Sequence, residues 1–197
     1  MKINKIKSLC KDAKRIRICY DPKRKIQWIS DGTAMYPLFK LPMLTAENIF
    51  TIFDIPEDKQ GKIMFEEVDE LPKSIDFEDY SRADADVTVE HINIVFEGRV
   101  LVPMRCQSGT LLVDKKYLSP FEDSVTFHER IREHGVSVIT AHEGMLLNGV
   151  ILPYTATQSL AEWLVNTGET LCLANGKKIL DREALEYSDE DENADEE

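Results

Sequence analysis

Histidines 91, 128, 134 and 142 and cysteines 10, 19, 106 and 172 are the side chains whose chemistry would be most telling if their spacing were right. A structural zinc site needs close ligand pairs such as CxxC, and no such pair occurs. His128 and His134 frame HERIREH, but the zinc-protease signature HExxH needs its second histidine two positions earlier and a helix beneath it. The segment alternates as a strand does, so these histidines are expected at surface or turn positions. Ser108 has no GxSxG elbow around it, and Cys106 has no activating base beside it in the chain. Glu66-Glu67 and Asp69-Glu70 are carboxylate pairs in a chain full of carboxylates, which reads as solvated surface. Asn175-Gly176-Lys177-Lys178 lacks the glycine-rich run of a phosphate loop. No catalytic residue, no metal ligand and no cofactor site is therefore assigned, and a non-enzymatic protein is expected.

Charge is more informative. The chain has 197 residues and a formal charge of −12, yet its first 25 residues are basic: Lys2, Lys5, Lys7, Lys11, Lys14, Arg15, Arg17, Lys23, Arg24 and Lys25 stand against Asp12 and Asp21. Acid collects in residues 57–90 and in the terminal SDEDENADEE. A lysine-studded helix can neutralise phosphates without reading sequence. The acidic surface would suit a basic protein partner instead.

These groups need elements to hold them. Ile3, Ile6, Leu9, Cys10 and Ala13 recur at helical spacing, which predicts a helix over 2–13. RIRICY alternates as a strand, and Ile26–Ser30 and Ala34–Phe39 follow as two more, with Pro37 placing the last at an edge or bulge. Thr45 is an N-cap candidate for a helix ended by Pro56, with Ile49, Phe50, Ile52 and Phe53 inward. Residues 62–68 read as a strand. Residues 69–86, with Pro72 and single apolar anchors Ile75 and Phe77, read as a crossover. Strands are expected from Val87 to Met104, then a short helix in DKKYLSPF, a strand at 125–131, a hairpin at 136–152 and a helix at 157–166 with Leu160, Ala161, Leu164 and Val165 inward. Trp28 and Trp163 are expected in the core. The last residues are too charged to bury a core and read as a disordered tail.

One unit recurs. Residues 26–55 and 138–166 each contain a β-type run, an acidic residue plus Gly (Asp31-Gly32, Glu143-Gly144), a second apolar run, a Pro and a Thr-opened helix. IVFEGRVLVPM is a partial third copy with Glu97-Gly98. Repetition points to a quasi-symmetric scaffold. The expected class is α+β, in two similar helix-plus-antiparallel-sheet halves over 1–84 and 85–181, with an acidic tail over 182–197.

The order MKINKIKSLCKDA, RIRICY, IQWIS, AMYPLF, and then DKKYLSPF, VTFHERI, VSVITAHEG, MLLNGVILPY, resembles the DNA sliding clamps, the processivity factors of replicative polymerases. It covers residues 1–166. The chain is also similar in look to small phage-encoded accessory proteins. In clamps, two helix-plus-sheet units make a domain and several domains close a ring, with helices inside and sheets outside. The resemblance implies that Lys5, Lys11, Lys14, Lys115 and Lys116 face double-stranded DNA without sequence preference, that the chain forms a homo-oligomer, and that it meets a replication protein. The segments 45–55 and 157–166 depart from that pattern, since they carry no Lys or Arg. An acidic protein-binding or inhibitory module without DNA contact is the competing expectation. The basic start has no apolar core of the signal-peptide kind, and no run reaches the ~20 apolar residues of a membrane span, so a cytoplasmic protein with no membrane partner is expected.

Overall fold

A computed structural model describes residues 1–82, 84–132 and 135–169 of the chain. It is a mixed α+β fold with two sheets and several helices. Two compact units divide it, Met1–Tyr154 and a second from Thr155 on.

Helix α1 (Ile3–Ala13) buries Ile6, Leu9 and Cys10. Lys14 ends it in a left-handed conformation (φ 51°), its N–H bonded back to Lys11 O at 3.1 Å. Three antiparallel strands follow: β1 (Arg15–Asp21), β2 (Ile26–Ser30) and β3 (Ala34–Pro37). Side chains shape both turns. Asp21 Oδ1 accepts the Lys23 and Arg24 N–H groups, and Asp31 Oδ1 accepts those of Thr33 and Ala34. Contrary to expectation, β3 is an interior strand, between β2 and the last strand of the sheet. Pro37 is tolerated because that outer partner pairs only with Ala34 and Met35.

The helix expected from Thr45 shrinks to α2 (Ile49–Ile52). Asn48 intervenes: its Oδ1 accepts the Thr45 N–H at 2.8 Å, building a turn where the first helical turn would stand. Ile49 and Phe53 are buried, whereas Ile52 is exposed. Pro56 then opens a second short helix, α3 (Glu57–Gln60), before β4 (Met64–Val68), which lies parallel to β1.

After the crossover come β5 (Ala85–Asp86), and then β6 (Thr88–Val89), β7 (Ile94–Phe96), β8 (Arg99–Cys106) and β9 (Gly109–Asp114). The last four form the smaller sheet around β8. DKKYLSPF holds a 3-10 turn, Lys115–Leu118, its Lys116 N–H capped by the Asp114 carboxylate. Finally β10 (Thr126–Ile131), β11 (Ser137–Glu143) and β12 (Leu146–Ile151) form a second meander. All three acidic-Gly pairs sit at hairpin turns, with Gly32, Gly98 and Gly144 at positive φ.

The large sheet runs β4-β1-β2-β3-β12-β11-β10-β5. Its middle seam is β3 against β12, with Met35 opposite Val150. Gly149 is required there, because a Cβ would stand 2.7 Å from the Phe121 ring. On one sheet face α1, Ile49, Phe53, Met104, Val113, Tyr117 and Phe121 join Ile16, Ile18, Ile29, Tyr36, Ile139 and Ile151 in one core. Across the opposite face lies the crossover, where Phe77, with Leu71 and Ile75, meets Cys19, Trp28, Met35, Val138 and Leu147. Trp28 is fully buried and meets the Phe77 ring edge-on, with centroids 5.0 Å apart.

In the second unit a helix spans 158–169. Thr157 Oγ1 caps it, accepting the Leu160 N–H at 3.3 Å. Trp163 and Val165 are exposed, correcting their expected core positions. The histidine-glycine turn at 134, the Asn175 turn, Cys172 and the tail 182–197 lie wholly or partly outside the described residues.

Candidate nucleic-acid interface

Lys5 and Lys11 lie on α1, Lys14 caps its C-terminal end, and Lys115 and Lys116 lie on the 3-10 turn, so all five belong to or flank elements packed on the same face of the large sheet. The chain just before α1 also touches the chain just after the 3-10 turn. Lys2 N donates to Pro120 O at 2.7 Å, and Lys2 Nζ reaches Phe121 O at 3.1 Å and Glu122 at 3.2 Å. Because α1 buries Ile6, Leu9 and Cys10, helical periodicity leaves Lys5 outward, with Lys11 along the flank.

Lys5, Lys14 and Lys115 are exposed and make no ion pair among the described residues. Lys7 is committed to the Asp54 carboxylate, which that ammonium holds below the usual carboxylate range. Lys11 Nζ donates to Asp54 O at 3.2 Å. Lys116 stands 4.0 Å from Asp114 Oδ2 and 4.9 Å from the centre of the Tyr117 ring.

Folding adds residues that sequence reasoning missed. Met64 N donates to Lys14 O at 2.9 Å, which anchors the start of β4 to the end of α1. That register brings Lys59 and Lys62 beside Lys11 and Lys14 around one cleft of about 380 Å³. Asp54 is the one acidic residue in its lining, and it is already paired with Lys7. Lysines here also complement the negative end of the α1 dipole. A shallower concavity of about 630 Å³ gathers Arg99 with Lys115 and Lys116 over Asp114, with Arg99 3.6 Å from that carboxylate. No local pattern marks Lys59, Lys62 or Arg99; only strand pairing places them.

The other chemical candidates resolve differently. Ser108 Oγ and N–H both bond to buried Glu129, which also accepts Ser137 Oγ at 2.5 Å. Burial and then Glu129 push the Cys106 thiol up to about 11, and burial raises Cys10 and Cys19 as well, so these thiols stay protonated at neutral pH. Glu66 is bound by Arg15 and Arg17. His91 is exposed, but His142 is buried, against the surface position expected for it. Its ring lies 4.9 Å from that of His128, a diagonal neighbour across β10 and β11. Among the described residues no group of three or more His, Cys, Asp or Glu is arranged to hold a metal ion. No described helix is long and apolar enough to cross a membrane.

No protein-family profile, no curated protein and no solved structure matches this chain.

Proposed function

We propose that this chain is a non-enzymatic DNA-associated accessory protein built as two similar helix-plus-sheet halves of the sliding-clamp kind. The observation that carries the reading is positional. A helical element precedes each three-strand meander, the meanders join at β3–β12, and both helical elements present lysines on one sheet face. Duplex DNA would lie along that face, its phosphates met by Lys5, Lys11, Lys14, Lys115 and Lys116, joined by Lys59 and Lys62. Lysines on flexible stems give contact without base readout. Assembly into a homo-oligomer would use the sheet edges, where β4 exposes Met64 and Val68.

Fluorescence anisotropy with a duplex of arbitrary sequence, titrated across salt, tests the DNA contact. Replacing Lys5, Lys11 and Lys14 by Gln lowers affinity and flattens the salt dependence, by about 0.9 in log–log slope for each phosphate no longer neutralised. Unchanged affinity and slope would sink the basic-helix reading. Encirclement has its own test: retention on closed circular DNA and release on linearising it. Equal retention on both forms removes the ring and leaves simple binding.

A protein-binding module is the second reading. It is favoured by the cleft of about 380 Å³ where the β1–β2 turn meets the crossover, with Leu71, Ile75 and Phe77 beneath charged Lys23, Lys73 and Glu78. Deleting residues 188–197 separates the two: loss of a basic partner with DNA binding intact supports the module.

A further inference from the structure

On the sheet face opposite α1, a small cleft lies between the central strands and the crossover. Its volume is about 190 Å³, and its polar lining is Arg17, Ser30, Thr33, Ser74, Arg132 and the Gly32 backbone. Apolar walls come from β12 and the crossover, and none of the lining residues is acidic. Arg15 stands behind it: its Nη1 lies 3.1 Å from where a Cβ on Gly32 would be, so glycine leaves room for that guanidinium.

Charge here is out of balance. Glu66 is shared by two arginines, accepting Arg15 Nη2 at 3.2 Å and Arg17 Nε at 2.5 Å. Arg132 meets no carboxylate among the described residues. Its Nη2 donates to Ser74 Oγ at 2.8 Å, and its Nε is buried with no partner, as is Arg15 Nε. The crossover thus closes over Arg17, Arg132 and several hydroxyls, with Arg15 behind them, and Glu66 is the one carboxylate that these three guanidiniums meet among the described residues. Elsewhere beneath the same crossover the pattern is the opposite, for Arg130 is bidentate to Asp84 and Arg24 meets Asp79 at 3.0 Å.

We propose that this cleft binds a single phosphoryl group. Guanidinium forks and hydroxyl donors suit a tetrahedral oxyanion, and a dianion matches the surplus of positive charge. The volume lies below the roughly 300–1,000 Å³ of sites that enclose drug-sized ligands, which fits inorganic phosphate or the phosphate end of a small monoester rather than a whole nucleotide. This site is independent of the lysine face.

Thermal denaturation of the full chain tests it, with sodium phosphate exchanged for sodium chloride at constant ionic strength. The expected result is a saturable rise in Tm and broadening of the phosphate ³¹P resonance. Both are abolished in Arg132→Gln. That variant keeps the parent Tm in chloride, because Arg132 is held by a single hydroxyl. Should it fail to fold, Ser74→Ala serves the same purpose with a smaller change. Phenyl phosphate distinguishes the source: a shift equal to that with phosphate identifies a monoester end, and a weaker one identifies the free ion. An absent or unsaturable shift overturns the proposal, as does an equal shift with acetate or an undiminished one in Arg132→Gln. A shift that disappears in the Lys5, Lys11 and Lys14 variant would move the anion to the other face and overturn it too.

Discussion

The two faces of the large sheet use positive charge in opposite ways. On the α1 face, lysines stand exposed on flexible stems, and Lys5, Lys14 and Lys115 have no carboxylate partner among the described residues. Under the crossover, outside the Arg17–Arg132 cleft, Arg130 and Arg24 are consumed in holding chain. Arg130 is buried, bidentate to Asp84 through Nε and Nη2 at 2.6 Å, while its Nη1 donates to Asp76 O at 2.7 Å and Glu78 O at 2.9 Å. Arg24 takes Phe77 O at 2.6 Å, and Asp79 in turn accepts Leu147 N–H at 3.0 Å. A crossover with almost no secondary structure is thereby fixed by side-chain donors to its own carbonyls and carboxylates. Exposed, unpaired charge remains available to a partner, whereas paired, buried charge stabilises the fold.

The sharpest way to break this contrast is Arg130→Ala. It leaves Asp84 buried without its guanidinium, with the Ser81 N–H still donating to it, and removes the donor to two carbonyls, a change that costs about 3–5 kcal/mol where one member of a buried ion pair is removed. Chemical denaturation measures the destabilisation, and hydrogen exchange localises it to residues 70–86. A cost below about 1 kcal/mol would mean that Phe77 on Trp28 holds the crossover and that the guanidinium is incidental. Next in size is the lysine cleft. On the proposed DNA reading, replacing Lys11, Lys14, Lys59 and Lys62 by Gln together lowers DNA affinity more than the helix triple does, while each site moves stability by no more than about 0.5 kcal/mol. Stability falling with affinity would show that these lysines also hold the fold, and the distinction between the faces would blur.

Much of this was legible in the residues. The 3.6-residue spacing of Ile6, Leu9 and Cys10, the alternation of RIRICY and the acidic-Gly turns each specify local geometry with their own atoms. Pairs made by distant segments were not legible. Arg130 and Asp84 are 46 residues apart, and nothing local marks either as half of an ion pair. Lys59 and Lys62 join the basic helix only through the parallel β1–β4 register. Propensity misled at 45–55, where the Asn48 side chain competes for the backbone; at DKKYLSPF the expected short helix forms as one 3-10 turn behind the Asp114 cap.

The smallest expected effect concerns His142, which belongs to the crossover face but carries no charge at neutral pH. Burial lowers its pKa from 6.5, the nearby His128 lowers it further, and Asp84 opposes both. The groups facing it are His128, Asp84, Asp79 and Arg130. In the unfolded chain the imidazole takes up a proton near pH 6.5, while in the fold it resists until lower pH. Between those two values the unfolded state binds more protons, so stability falls as pH drops through that window, with a slope of at most about 1.4 kcal/mol per pH unit for one proton. Asp84 acts in a separate and lower window. Its own pKa is lowered from 3.8, burial being outweighed by the Arg130 hydrogen bonds and charge, so its contribution disappears only in stronger acid. His142→Gln should therefore flatten the stability profile just below pH 6.5 and leave an acid limb at lower pH, where Asp84 titrates. Denaturation midpoints across pH measure both limbs in one series. An unchanged upper limb in the variant would assign the proton uptake to another group and take His142 out of the account of this face.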